Sequence, residues 1–126
     1  MISDRLCYKI LILGASILQP PAIKKAKQKG YYTIVADMNS NAIGVQYADE
    51  YHCVSTIDIE GVTNLAEEIK PDGIMTLATD MPMRAIAAAT TKLVLPGITM
   101  DTAIQSTDKG EMIKAFEEYN VEHPWY

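Results

Sequence analysis

The chain has 126 residues, enough for one domain with its own core. Hydrophobic residues make up 48% and charged residues 21%, a balance that excludes a disordered chain or a collagen-like repeat. The net charge of −5 argues against nucleic-acid binding, which uses a basic stripe, and no apolar window reaches the roughly 18 residues that a membrane span needs. Cys7 and Cys53 lie far apart and form no Cys-x-x-Cys pair. Neither a disulfide framework nor a cysteine zinc site is expected, and a reducing cytoplasm is the expected compartment.

Tyr8–Leu13 is a short apolar run that ends at Gly14, the signature of a strand buried on both faces of a parallel sheet. The segment Lys9–Leu18 fits a domain interior better than a signal-peptide core, because it lacks an Ala-x-Ala site and Pro20 and Pro21 follow at once. The two prolines suit a helix's first turn, and Gly30 stops that helix after about Lys29. Lys24, Lys25, Lys27 and Lys29 are expected on its solvated face, with Ala22, Ile23, Ala26 and Gly30 turned inward.

Tyr31–Ala36 is the second predicted strand, followed by a loop marked by Asn39, Ser40, Asn41 and Gly44. Tyr51–Val54 is the third, and Ile59–Lys70 is a helix with Val62, Leu65, Ala66 and Ile69 on one face. Ile74–Leu77 is the fourth strand. Thr79–Pro82 opens a helix to about Lys92, and Leu93–Leu95 is a brief fifth strand closed by Pro96-Gly97. Helical pieces near Asp101–Gln105 and Asp108–Tyr119 finish the chain, with Asn120 as a left-handed cap. The seven methionines read as core filler. Alternation of this kind implies an α/β, three-layer, Rossmann-like open parallel sheet of about five strands with helices on both faces.

In such a sheet, ligands bind beyond the carboxyl ends of the strands. The candidates there are Gly14, Ala15 and Ser16, then Asp37, Met38 and Asn39, then Ser55, Thr56 and Asp58, then Ala78, Thr79 and Asp80. Gly14 serves either as a tight turn or, with Ser16, as a contact for an anion or substrate at a helix start. Gly14 and Asp37 also sit where a dinucleotide fingerprint has its first glycine and its ribose-binding acid, but Ser16 and Gln19 replace the other two glycines. Asp37 either bonds the backbone of the Asn39–Asn41 turn or binds a ligand, and Asp80 is either an N-cap or a ligand contact. Arg84, one turn on, is a surface residue or an anion contact. His52 reads as a packed strand residue. No catalytic triad, metal-ligand spacing or phosphate loop is present.

Three stretches taken together carry a resemblance. The first joins Gly14-Ala15-Ser16, Gln19-Pro20-Pro21-Ala22-Ile23, Ala26-Lys27 and Gly30-Tyr31. The second joins Asp37-Met38-Asn39, Ala42, Gly44, Tyr47–Glu50 and Ser55–Gly61. The third joins Asp72-Gly73-Ile74, Ala78-Thr79-Asp80, Leu95–Ile98 and Ser106–Lys109. Their order resembles the N-terminal, pre-ATP-grasp domain of ATP-grasp ligases, in the branch like the carbamoyl-phosphate synthase large chain.

That resemblance implies a parent enzyme that joins a carboxylate to an amine through an acyl-phosphate, using ATP and magnesium. This domain would build the substrate side of the cleft with Gly14, Ser16, Asp37, Asn39, Thr79 and Asp80, and Lys109 would contact ATP phosphates. Residues 1–126 would be one such domain, ending at Glu122–Tyr126 on the start of the next strand. It would not be catalytic alone, and its partners would be a small-molecule substrate and the remaining ATP-grasp domains, with no nucleic acid or membrane. The alternatives are a small NAD(P)-binding or regulatory Rossmann domain, and an interaction module that forms a homodimer through Ala85–Ala89.

Overall fold

The computed structural model describes residues 8–123. Cys7 and the Pro124–Tyr126 part of the expected next strand lie outside them, and Glu122 and His123 belong to no strand. The elements run β1 (Lys9–Leu13), α1 (Pro20–Gln28), β2 (Tyr32–Ala36), a 3₁₀ turn (Ile43–Tyr47), β3 (Glu50–His52), α2 (Ile59–Ile69), β4 (Gly73–Met75), α3 (Met83–Leu93), α4 (Met100–Thr107) and α5 (Lys109–Glu118). The strands form one all-parallel sheet in the order β3-β2-β1-β4.

Side chains alternate across a strand, so each central strand feeds two cores. Leu11 and Leu13 of β1 and Ile34 and Ala36 of β2 pack with Val62, Leu65 and Ala66 of α2 and with Ala85, Ile86 and Ala89 of α3. Ile12 and Val35 point the other way, onto Ala15, Ile23 of α1 and the 3₁₀ turn. The result is three layers, with α1 on one face and α2 and α3 on the other. Each fully buried Leu, Ile or Val in these clusters is worth about 1.5–3 kcal/mol, so the two central strands anchor both layers.

The sheet has four strands, not the five that the sequence suggests. The chain at Leu93–Leu95 ends α3 instead: Val94 adopts a left-handed conformation (φ 57°), and the Leu95 N–H returns to the Thr90 carbonyl at 2.8 Å. This is a helix C-cap, and it directs the backbone groups that a strand would need back into the helix end. Leu93 and Leu95 still reach the core, which explains why the stretch looks like a buried strand.

The methionines follow expectation only in part: Met83 and Met75 pack, half-buried, against the two cores. Among the described residues no methionine is in the buried core, and Met38 and Met81 are 64% and 65% exposed. Ala85, Ile86, Ala87 and Ala89 are buried within the chain itself. They therefore offer no free face for the homodimer that the alanine-rich stretch suggested. Asn120 does take the left-handed conformation expected after the last helix (φ 58°).

The edge of the sheet is held by carboxylates. The Glu50 carboxylate pairs with the His52 ring and accepts the Tyr32 hydroxyl at 3.0 Å. The His52 contact first, then the Tyr32 hydroxyl, outweighs burial and holds the Glu50 carboxyl below its ordinary 4.5. Burial pushes the Asp49 carboxyl up, but the Thr33 N–H and hydroxyl and the Lys27 ammonium together hold it below its ordinary 3.8.

Both folded-state values are lowered, so the unfolded chain binds more protons than the folded one as acid is added. The stability these groups contribute is therefore present above about 4.5 and is lost as pH falls through their folded values. The expected outcome is a melting temperature that declines from about pH 5 to about pH 3, with a shallower decline in Glu50→Gln. An acid limb of unchanged slope in Glu50→Gln, followed by circular dichroism, would refute the assignment for Glu50.

Candidate functional site

The strand order reverses between β1 and β4, and at such a switch point the loops above the sheet part to leave a crevice. A cleft of about 460 Å³ lies there. Four loops build it: Gly14, Ser16, Leu18 and Gln19 after β1, Asp37 and Met38 after β2, Ser55, Thr56 and Ile57 after β3, and Ala78, Thr79, Met81 and Pro82 after β4.

The loop after β1 is fixed from three sides. The Gly14 N–H continues the ladder to the Ala36 carbonyl at 2.8 Å, and the Ala15 N–H donates to Asp37 Oδ2 at 2.8 Å. The Ala15 carbonyl accepts the Gly44 N–H at 2.6 Å, an approach so close that a Cβ on Gly44 would lie 2.6 Å from that oxygen. Gly14 itself sits at φ 103°, where a side-chain-bearing residue is strained.

The deeper lock is Gln19, which is 2% exposed. Its Nε2 donates to the Leu77 carbonyl at 2.6 Å, and its Oε1 accepts the Leu77 N–H at 3.1 Å. The side-chain amide thus pairs with one backbone unit just past β4, as a neighbouring strand would. Thr76 adds a hydroxyl bond to the Leu13 carbonyl at 2.8 Å. The floor of the cleft is therefore sewn across the switch point.

Asp37 performs the turn role that its spacing allows and a second one besides. Oδ1 accepts the Asn39 N–H at 2.8 Å, while Oδ2 holds the β1 loop. Its backbone carbonyl accepts the Tyr51 hydroxyl at 2.8 Å. Burial first, then Cys53 and Asp37, pushes the Tyr51 hydroxyl above its ordinary 10.0.

Of the sequence-nominated site residues, Gly14, Ser16, Asp37, Met38, Ser55, Thr56, Ala78 and Thr79 line the cleft, while Ala15 and Asp58 do not. Nor do Asn39 and Asp80. Asn39 Oδ1 closes its own turn on the Asn41 N–H at 2.9 Å, and the Asp80 carbonyl accepts the Met83 N–H at 3.2 Å. Asp80 is not the N-cap either, since Pro82 holds that position without a side-chain bond. Arg84 is exposed on α3 and is not among the lining residues. Lys109 opens α5, which packs against α4 rather than against the sheet.

Of the cleft's apolar rim, sequence reasoning named only Met38. Leu18, Met38, Ile57 and Met81 line it and are all more than half exposed. The signal was available: large apolar residues in strand-end loops, where turn chemistry favours polar ones.

Among the described residues no group of three His, Cys, Asp or Glu is placed to hold a metal ion. Lys109 is not among the residues that line the cleft.

No family model matches the chain. It is similar to a formate-dependent phosphoribosylglycinamide formyltransferase of Bacteroides thetaiotaomicron, with 33% identity over 67 residues, or 53% of this chain and 17% of that protein. It is also similar to the crystal structure of a phosphoribosylglycinamide synthetase from Anaerococcus prevotii. There the TM-score is 0.82 at 30% identity, covering 90% of this chain and 29% of that one. The fold recurs in an N5-carboxyaminoimidazole ribonucleotide synthetase from Thermotoga maritima, with a TM-score of 0.73 at 20% identity over 94% of this chain and 32% of that one. The chain thus spans a third or less of each of these proteins. These likenesses support a partial, N-terminal domain of an ATP-grasp ligase. None of the three is a carbamoyl-phosphate synthase, so that branch of the resemblance finds no support in them.

The Gln19 lock makes a direct prediction. Gln19→Met keeps the volume but leaves the part-buried Leu77 N–H and carbonyl without their Gln19 partner, which costs about 1–3 kcal/mol. Urea unfolding should show a lower midpoint with the slope unchanged. Gly14→Ala should cost about 1–2 kcal/mol from backbone strain alone, because the nearest atom to its new Cβ, Gln19 Cγ, lies 3.5 Å away.

Proposed function

We propose that the chain is the N-terminal, substrate-side domain of an ATP-grasp ligase that joins a carboxylate to an amine, and that its cleft holds the non-nucleotide substrate. The observation that carries this reading is the cleft itself. It sits at the topological switch point, is built by four strand-end loops, and offers the hydroxyls of Ser16, Ser55, Thr56 and Thr79. Gly14, Ser16, Asp37 and Thr79 are its binding residues, while Lys109 would serve nucleotide phosphates only through a neighbouring domain. Residues 1–126 are proposed as a single unit of a longer enzyme, with the remaining ATP-grasp domains as its partners.

The finer branch, like the carbamoyl-phosphate synthase large chain, rests on the order of the sequence motifs through Ser106–Lys109. The relatives' names put a phosphoribosyl amine among the ligands to be tried.

The geometry disfavours the NAD(P) reading. In a dinucleotide site the loop after β1 presents free N–H groups to a pyrophosphate, and the acid after β2 reaches a ribose. Here the Ala15 N–H is donated to that same acid, Asp37, so the two partners of a dinucleotide satisfy each other.

Calorimetry of the chain with magnesium and ATP should show no binding, and fluorescence titration with NADH should show no saturable quenching. Micromolar affinity for either would overturn the reading. In the full-length gene product, Ser16→Ala should raise KM for the non-nucleotide substrate about fivefold, the loss of one neutral hydrogen bond, and leave KM for ATP unchanged. An effect on ATP alone would assign the cleft to the nucleotide.

A further inference from the structure

Resting on the reading of this cleft as a substrate site, we infer that the group it binds carries no phosphate and is an amine with an apolar side. Three independent features of the cleft lead there.

The first is charge. Asp37 is the one charged side chain among the described residues that line the cleft, and no Lys, Arg or His joins it. A phosphate-binding pocket in a protein relies on cationic side chains or on free N–H groups at a helix start. Here the side-chain charge has the opposite sign, and it favours an ammonium group.

The second feature is the state of the helix starts. Three helices begin beside the cleft, directly after its lining loops, and each has part of its N-terminal donor set removed or occupied. α1 begins with Pro20 and Pro21, which have no N–H, and the Gln19 N–H is donated to the Ser16 carbonyl at 2.9 Å. α2 is capped by Asp58, whose carboxylate accepts the Gly61 N–H at 3.0 Å. α3 has Pro82 at its N-cap, and its Met83 N–H is donated to the Asp80 carbonyl. A helix start attracts an anion through unpaired N–H groups. At α1 the two prolines remove two of those donors outright, while at α2 and α3 an aspartate and a local turn take one each.

The third feature is the rim. Leu18, Met38, Ile57 and Met81 come from four different loops and converge on one opening, each more than half exposed. Exposed apolar groups converging on a concave site mark a ligand surface rather than scattered surface residues. A hydrocarbon side on the ligand would bury this rim, while the hydroxyls of Ser16, Thr56 and Thr79 serve its polar side.

The test uses ¹⁵N-labelled chain and three probes followed by amide chemical shifts: L-leucinamide, N-acetyl-L-leucinamide and ribose 5-phosphate. L-leucinamide should shift the amides of Ser16, Met38, Thr56 and Thr79. The acetylated probe, which lacks the ammonium, should bind at least fivefold more weakly, and ribose 5-phosphate should leave these amides in place. Met81→Ser, at an exposed position, should weaken L-leucinamide at least threefold without unfolding the chain. Cleft shifts with ribose 5-phosphate would overturn the inference while keeping the cleft as the substrate site. Equal binding of the acetylated probe would overturn the amine. Absence of cleft shifts with all three probes would overturn both the inference and the substrate-site reading on which it rests.

Discussion

One buried amide holds the working end of this domain together. The Gln19 side chain pairs with both the carbonyl and the N–H of Leu77, just past β4. A parallel sheet that changes direction leaves unpaired backbone at the switch point, and water would ordinarily satisfy it. Gln19 satisfies it from α1, so the loop after β1 and the loop after β4 are locked at a fixed separation. The Gly14 turn, the Asp37 contact and the mouth of the cleft all take their positions from that separation. The lock also accounts for the missing dinucleotide glycine, because the long side chain at that position is the structural element itself.

A second consequence follows from how the polar groups are spent. Asp58 and Asp80 looked from the sequence like ligand contacts, yet neither lines the cleft and the Asp58 carboxylate caps α2, while Asp37 both anchors the loop after β1 and faces the cleft. The hydroxyl residues Ser16 and Thr79 keep their place on the cleft wall, and the apolar rim surrounds them. The electrostatics of the cleft thus comes from Asp37 alone, while its shape comes from side chains that carry no charge.

Much of the fold was legible. The period-two and period-3.6 patterns located the strands β1, β2, β3 and β4 and the helices α1, α2 and α3 to within a few residues, because burial on both faces leaves little choice of residue. The reading failed at Leu93–Leu95, where the same residues serve a helix C-cap as well as they would a short strand, and only the left-handed turn at Val94 distinguishes the two. It held only in part for the methionines: Met75 and Met83 pack against the cores while Met38 and Met81 are exposed, since a flexible apolar side chain suits both places.

The sequence by itself determined the layer order, the positions of the strand ends and the scarcity of positive charge around them. Local propensity and hydrophobic period are encoded residue by residue, so they survive without tertiary context. Which polar groups remain available was decided only by the tertiary structure. The partner of Asp37 is 22 residues away, at Ala15, and the partner of Gln19 is 58 residues away, at Leu77. Contacts at such separations depend on how the strands are ordered in the sheet, and no local pattern carries that order. The same holds for Leu18, Met38, Ile57 and Met81, which become one rim only when four loops converge above the switch point.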